Sequence, residues 1–506
     1  MDLSPVVRSH KWLNLPDHEG GAYNLWDCYA TRESEAAVRK ELKRTGNDTY
    51  FATWWPFVRV VGEMQRGGFG HLDRTALTRY KKKLRRELRE IEGEMLEGVE
   101  VFDHAEILAY KWAEMHWLDK AGKAEKQRAK GLASRLSKVE KRREKFFNMS
   151  SDLKHHVFDV MGLKPAPTTH KRPARSLDQE ALEWVLDHLR ARDRQHIPFL
   201  HNLFHRSRLR TILQRYLNIW TGPDDRIYPT ISCGTARTMR LAVSKPPMQQ
   251  WPKEVRHVVM PRPGCVFVGV DYSQLEARIM AKESEDTPLL EAFACGADPH
   301  AQNARELFMC SEAEWDAMPT TTRELYRNFA KSFFYGLGYG GRAETLHTRP
   351  VCPCWRCEEE RQDTLELTSA QKARAESNWM SRHPDYVRWR QRHLEGFFRR
   401  GRTYTSRFGY TRRVREDGSR AERVILNYPM QHGAAKVVER AMVDLHAAGV
   451  PLVFQVHDEL IAEPLARDAD DVLRVMKEVM EQPIPEYDGM RFPTKGHIGH
   501  TWGELK

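Results

Sequence analysis

PLVFQVHDEL, residues 451–460, is an apolar run that stops abruptly at His457-Asp458-Glu459. CVFVGVD, residues 265–271, has the same form and stops at Asp271. Short runs rich in β-branched and aromatic residues read as buried strands, and each of these two ends in a carboxylate. An aspartate at a strand end ordinarily caps a turn, and either one alone carries no more than that. As a pair at the ends of two core strands, Asp271 and Asp458 have a second reading. They suit two divalent cations held on few carboxylates, with phosphate oxygens and water completing the shells, as magnesium prefers. Mostly helix-compatible sequence separates the two strands, so the expected class is α+β around a small antiparallel sheet.

Between them, residues 327–341 read RNFAKSFFYGLGYGG, whose last six residues spell G-x-G-x-x-G. A dinucleotide fingerprint follows a strand and opens a helix. Here the glycines follow a helix-compatible segment, so they read as an ending. Upstream of them Arg327, Lys331 and Tyr335 recur at intervals of four and fall on one helix face. Two cations and an aromatic ring suit a triphosphate with its base or sugar. They suit the solvated face of an amphipathic helix equally well, and spacing leaves both readings open.

The 506 residues are 41% hydrophobic and 30% charged, as in a soluble globular protein of two to four domains. No apolar run reaches the ~20 residues that span a bilayer, and the N-terminus lacks the apolar core of a secretion signal. The expectation is a cytoplasmic protein with no membrane partner. A net charge of +11 favours a polyanionic partner, with nucleic acid first. Five of the eight cysteines are scattered and three crowd into CPCWRC at 352–357, which is no disulfide framework. From about residue 60 to 230 the chain is helix-compatible and basic, with KKKLRRELREIE at 81–92. Its mixed charges at three- and four-residue spacing read as solvated helix faces or as an arm tracking a phosphate backbone.

Together these segments are recognisable. DYSQLEAR at 271–278, RNFAKSFFYGLGYG at 327–340 and QVHDEL at 455–460 resemble, in order, motifs A, B and C of family A DNA polymerases, the DNA polymerase I group. Weaker matches lie around them: TMRLAVSKPPMQQWP at 238–252, DPH at 298–300, RTYTSRFGYTRR at 402–413 and ERVILNYPMQHGAAK at 422–436. The resemblance implies a right-hand polymerase fold with a helical thumb, an antiparallel-sheet palm and helical fingers. It divides the chain into an exonuclease-like remnant (1–60), thumb (61–230), palm with motif A (231–285), fingers with motif B and a Cys-rich insertion (286–425), and palm with motif C (426–506).

The implied chemistry is template-directed addition of dNMP from dNTPs to a primer 3′-hydroxyl, in replication or repair, with two Mg²⁺ ions on Asp271, Asp458 and the Tyr272 carbonyl. Asp271, Asp458 and Lys331 would be catalytic. Arg327, Lys331, Tyr335, His300, Glu276 and Gln274 would bind the dNTP, Glu276 excluding a ribose 2′-hydroxyl. Arg240, Gln249, Gln250, Tyr339, Arg423, Asn427, Gln431 and His457 would contact primer–template DNA. Departures from the family pattern are Ala277, Phe334, Gly338, which is expected to loosen the helix end, and His432 and Lys436 after Gln431.

AYNLWDCYAT at 22–31 resembles the end of a proofreading domain through its Tyr23 and Asp27 spacing, but one carboxylate cannot run such a site. The expectation is therefore no proofreading or 5′-nuclease in this chain, with a separate exonuclease subunit as a candidate partner and a bacterial or phage-infected cell as the setting. His347, Cys352, Cys354 and Cys357 have the count for one structural Zn²⁺; a plain thiol-rich loop is the other reading. Competing functions are a single-subunit RNA polymerase or reverse transcriptase, and an inactive DNA-binding subunit.

Overall fold

The computed structural model describes residues 40–96, 99, 146–147, 150–167, 175–219, 221–341, 343 and 368–505. Tyr23, Asp27 and the set His347, Cys352, Cys354, Cys357 lie outside these residues. Among the described residues no helix is long and apolar enough to cross a membrane.

Strands β1 (Phe267–Tyr272), β2 (Leu452–Val456), β3 (Glu459–Ala462) and β4 (Thr494–Gly499) form one antiparallel sheet in the order β4-β1-β3-β2. Both apolar runs therefore are strands, and they are joined side by side through β3. Successive side chains of β1 alternate between faces, yet Phe267, Val268, Val270 and Tyr272 are all 3% exposed or less. Both faces are covered, which is why the run reads as continuously apolar. On one face Val268, Val270, Leu460 and Ala462 meet Ala434, Val437 and Val438. On the other, Phe267, Phe454 and Ile461 meet Phe69 and Trp502. Gly269 is required between them, since a Cβ there would lie 2.9 Å from Leu505 and 3.0 Å from Glu459 Oε1.

The helices that position the site are α1 (Asp48–Gly67), α2 (Arg74–Leu96), α3 (Ile197–Thr211), α4 (Leu275–Ser284), α5 (Pro299–Leu307), α6 (Thr320–Gly338), α7 (Pro384–Arg399) and α8 (Gly418–Ala447). In α2 the residues Leu77, Leu84 and Ile91, seven apart, are buried. They pack with Leu200, Leu203 and Leu209 of α3 and leave the lysines and arginines of KKKLRRELREIE around the outside. A buried ion pair, Arg206 Nε to Glu92 Oε1 at 2.7 Å, ties α3 to α2. Helices α4 to α7 share a separate core that includes Met280, Leu307, Phe329, Phe333, Phe334, Trp379 and Tyr386.

Among the described residues, short strands interrupt the expected helical texture of 61–230. Phe69–Leu72 is a strand, pairing with Arg226–Ile227 on one side and Val259–Met260 on the other. Four residues are too few to show a period-2 pattern, and tertiary contacts make this strand. Phe69 has ring centroids 5.3 Å from Phe267, 4.7 Å from Phe454 and 5.2 Å from Trp502. It plugs the lower face of the sheet that carries both aspartates. Phe69→Ala should lower stability by about 3–5 kcal/mol, the cost of emptying a buried phenylalanine site. The denaturant midpoint with an unchanged slope checks this, and a loss below about 1 kcal/mol contradicts the packing.

Candidate active site

Asp458 sits in a two-residue turn between β2 and β3, flanked by the paired residues Val456 and Glu459. His457 takes φ +55°, the positive value that such tight hairpins need. The turn is held from two sides. The Tyr272 N–H donates to the Asp458 carbonyl at 3.2 Å. Opposite, the Gln455 side-chain amide donates to the His457 carbonyl. Gln249 Nε2 in turn donates to the Gln455 carbonyl at 3.2 Å and to its Oε1 at 3.1 Å. In the register of β1 against β3, Asp271 faces Glu459. Asp271 and Asp458 therefore share one end of adjacent strands. The Tyr272 hydroxyl donates to the Met480 carbonyl at 2.8 Å, fixing the residue between them.

After β1 the chain reverses sharply. Ser273 N–H donates to the Pro493 carbonyl at 2.8 Å, and Gln274 adopts φ +57° as the N-cap of α4. This turn brings Glu276, in the first turn of α4, to the aspartates. Arg240 Nη2 donates to Glu276 Oε1 and lies 3.9 Å from Asp458 Oδ1. Burial opposes the charge on Arg240, yet Glu276 and Asp458 hold its guanidinium above the ordinary arginine range. The other Glu276 oxygen accepts from the Tyr339 hydroxyl. Burial, with Glu276 beside it, pushes the Tyr339 phenol well up, so it stays a donor.

Arg327, Lys331 and Tyr335 do lie on one helix, α6, and all three are half-buried. Arg327 Nε donates to Asp298 Oδ2 at 2.5 Å, and its Nη2 reaches Oδ1 at 3.3 Å. Asp298 also caps α5 through the His300 N–H at 3.0 Å and lies 3.5 Å from Gln274 Nε2. Lys331 Nζ lies 5.9 Å from the centre of the Tyr335 ring. Tyr335 stacks on Tyr339 with centroids 5.7 Å apart, and His300 approaches its other neighbour side at 5.5 Å. His300 is 5% exposed, and neither ring nitrogen has a hydrogen-bond partner among the described residues. Burial lowers its pKa to about 4, with Lys331 and Arg327 adding to the shift and Asp298 opposing it.

The G-x-G-x-x-G is the end of α6. Gly340 has φ +83°, the Gly341 N–H donates to the Gly336 carbonyl at 2.8 Å, and the Gly340 N–H to that of Leu337 at 2.9 Å. That pair of bonds with a left-handed glycine is a Schellman helix stop. Gly338 does not loosen it. The residue is buried within the last helical turn, and a Cβ there would lie 2.9 Å from Met280 Sδ of α4.

Residues 116–504 match the family model described as DNA polymerase family A. The chain belongs to that family. It is 29% identical over 380 residues to the thermostable DNA polymerase I of Thermus aquaticus, covering 71% of this chain and 42% of that protein. It is 31% identical over 301 residues to DNA polymerase I of Chloroflexus aurantiacus, covering 55% of this chain and 29% of that protein. The chain thus spans less than half the length of these relatives. A solved structure titled as the POL domain of Pol1 from M. smegmatis in complex with DNA primer-template and dNTP superposes with a TM-score of 0.69. That match covers 93% of this chain and 74% of the other at 20% identity, and it shows the right-hand α+β fold.

In this family A chain the remaining expected residues fall into two places. Arg423, Asn427 and Gln431 follow at intervals of four along α8, Arg423 exposed and the other two half-buried. Gln250 accepts from Arg215 Nη2 at 3.3 Å, beside Gln249. Among the described residues no three His, Cys, Asp or Glu side chains gather as a metal cluster. Carboxylate oxygens are hard ligands, so Asp271 and Asp458 suit a hard divalent cation better than a soft one.

Sequence reasoning missed Asp298, Gln455 and the buried pair Lys436–Glu439. Asp298 had a legible signal, an aspartate directly before the Pro299 that opens a helix. Glu439 is 5% exposed, and burial pushes its carboxyl up to about 7 against the pull of Lys436. Only the fold puts it beside the cavity lined by Arg240, Gln455 and Asp458.

The His300 shift has a measurable consequence. Its folded pKa of about 4 lies below the ordinary 6.5, so the unfolded chain takes the proton first. Stability present above about pH 6.5 is then lost as pH falls toward about 4. His300→Gln should flatten this loss when thermal midpoints at about pH 7 and about pH 5 are compared. His393 and His432, likewise lowered by burial, remain in both proteins. Equal pH slopes for the two contradict the assignment.

Proposed function

We propose that the chain synthesises DNA on a DNA template, transferring dNMP from dNTPs to a primer 3′-hydroxyl with release of pyrophosphate. The observation that carries this reading is the unbroken contact path from Asp458 through Arg240, Glu276 and Tyr339 to Tyr335. It links the strand-end Asp458 to α6, the helix that also carries Arg327 and Lys331. Family membership and a neighbour titled with primer-template and dNTP support the same substrates.

Asp271, Asp458 and the Tyr272 carbonyl would hold the divalent cations. When bound, these supply a lowered pKa at the attacking hydroxyl and neutralise charge on the leaving pyrophosphate. The chain's own residues do the rest by position and charge. Arg327 and Lys331 meet the triphosphate, and neutral His300 offers one donor and one acceptor in a site already dry. The triphosphate competes with Asp298 for Arg327, so the guanidinium is aimed before the ligand arrives. Tyr335 offers its ring to the incoming base or sugar. Glu276, braced by Arg240 and Tyr339, occupies the space a ribose 2′-hydroxyl needs, which favours deoxynucleotides. Arg423, Asn427 and Gln431 face the template, and Gln249, Gln250 and His457 face the primer end. The chain's net charge of +11 suits a duplex substrate.

Extension of an end-labelled primer tests the reading. Wild type should extend with dNTPs, and far more slowly with rNTPs. Asp458→Ala should lose at least about 10²–10³-fold in rate, the scale of removing a group that acts on transition-state charge. An Asp458→Ala enzyme as fast as wild type, or equal use of rNTPs, overturns it.

A further inference from the structure

The C-terminal end of α6 carries Tyr339, and the Schellman bonds leave one of its last carbonyls, that of Gly338, to be satisfied elsewhere. The Tyr386 hydroxyl, from the first turn of α7, donates to it at 2.6 Å. Tyr386 is 0% exposed and Gly338 is buried, so water does not compete for this bond. The tyrosine is itself held rigidly. Its N–H donates to Asp286 Oδ2 at 3.3 Å, and Asp286, also 0% exposed, binds His383 Nδ1 at 2.8 Å and the Leu289 N–H at 3.1 Å. The ring packs between Trp379, at 5.0 Å, and Trp389, at 5.7 Å.

The glycine and the tyrosine act together on α6. A side chain at 338 would strike Met280 of α4, so the bare Gly338 lets α6 lie directly against the helix that bears Glu276. The Tyr386 hydroxyl then fixes how far the last turn advances. One residue later, Tyr339 stacks on Tyr335 and donates to Glu276. A shift of that turn moves the Tyr339 ring off Tyr335 and loosens the brace on Glu276 at once.

We propose that Tyr386 is a positioning residue that sets nucleotide selection by pinning the Gly338 carbonyl and hence the place of Tyr339. This rests on the proposed DNA synthesis. Tyr386 touches neither DNA nor nucleotide, and acts only through the end of α6. The hydroxyl alone carries the effect, so the test removes the hydroxyl and keeps the ring.

Tyr386→Phe is compared with wild type in single-nucleotide incorporation with each correct and incorrect dNTP. The ratio of correct to incorrect kcat/KM should fall about tenfold, the scale of losing one buried hydrogen bond. Hydrogen exchange over residues 335–341 should speed up while α5 keeps its protection. Trp315→Phe, in the same core, is the control for general destabilisation. It should lower the thermal midpoint and leave both selection and exchange at 335–341 unchanged. Should Tyr386→Phe prove too unstable for kinetics at one temperature, the exchange measurement is made on both variants well below their midpoints. Unchanged selection together with unchanged exchange in Tyr386→Phe overturns the proposal. Loss of selection by Trp315→Phe to the same extent overturns it too, since the effect is then general. A wild type that extends no primer refutes the synthesis reading instead, and the exchange result still reports whether the pin exists.

Discussion

The register of β1 against β3 is the constraint on which the site depends. Asp271 faces Glu459 across the ladder, and the Tyr272 N–H closes on the Asp458 carbonyl at 3.2 Å. A slip of one residue would turn Val268 and Val270 from one core to the other and carry Asp271 away from the hairpin turn. Because both faces of the sheet are buried, that slip is strongly disfavoured. The aromatic cluster of Phe69, Phe267, Phe454 and Trp502 guards one face and α8 the other. Packing of ordinary hydrophobic kind thus fixes the relative place of two carboxylates that would repel if nothing held them.

Charge organises what packing brings near. Asp458 and Glu276 meet one cation at the acidic edge, Arg240, which reaches both of them. Across the opening, Arg327 is restrained by Asp298, which also caps α5 under His300. Arg327 is therefore oriented by a carboxylate that is not itself part of the acidic edge. Such second-layer restraint keeps long side chains from spending rotamer freedom when a triphosphate binds.

Much of this was legible in the sequence, and for a physical reason. Asp271 lies near the end of one strand, Asp458 in the turn just after another, and Arg327, Lys331 and Tyr335 on one helix, so local periodicity and strand-end position expose them. The family motifs are similarly short. The strand Phe69–Leu72 was not legible, because four residues carry no period and only pairing with segments more than a hundred residues away makes it a strand. Gln455 and Glu439 were missed for the same reason, since each gains meaning only from a long-range neighbour. Gly338 misled in an instructive way. A glycine near a helix end suggests loosening, but here the missing Cβ permits contact with Met280 and Gly338 completes the last helical turn.

The central claim is that the β1–β3 register makes Asp271 and Asp458 a joint seat for divalent cations. Manganese binding followed by electron paramagnetic resonance, with primer–template and dNTP present, tests it most directly. The account expects about two ions on wild type, and a marked loss of binding in both Asp271→Asn and Asp458→Asn. Undiminished manganese binding by both variants, with the fold intact, would contradict it.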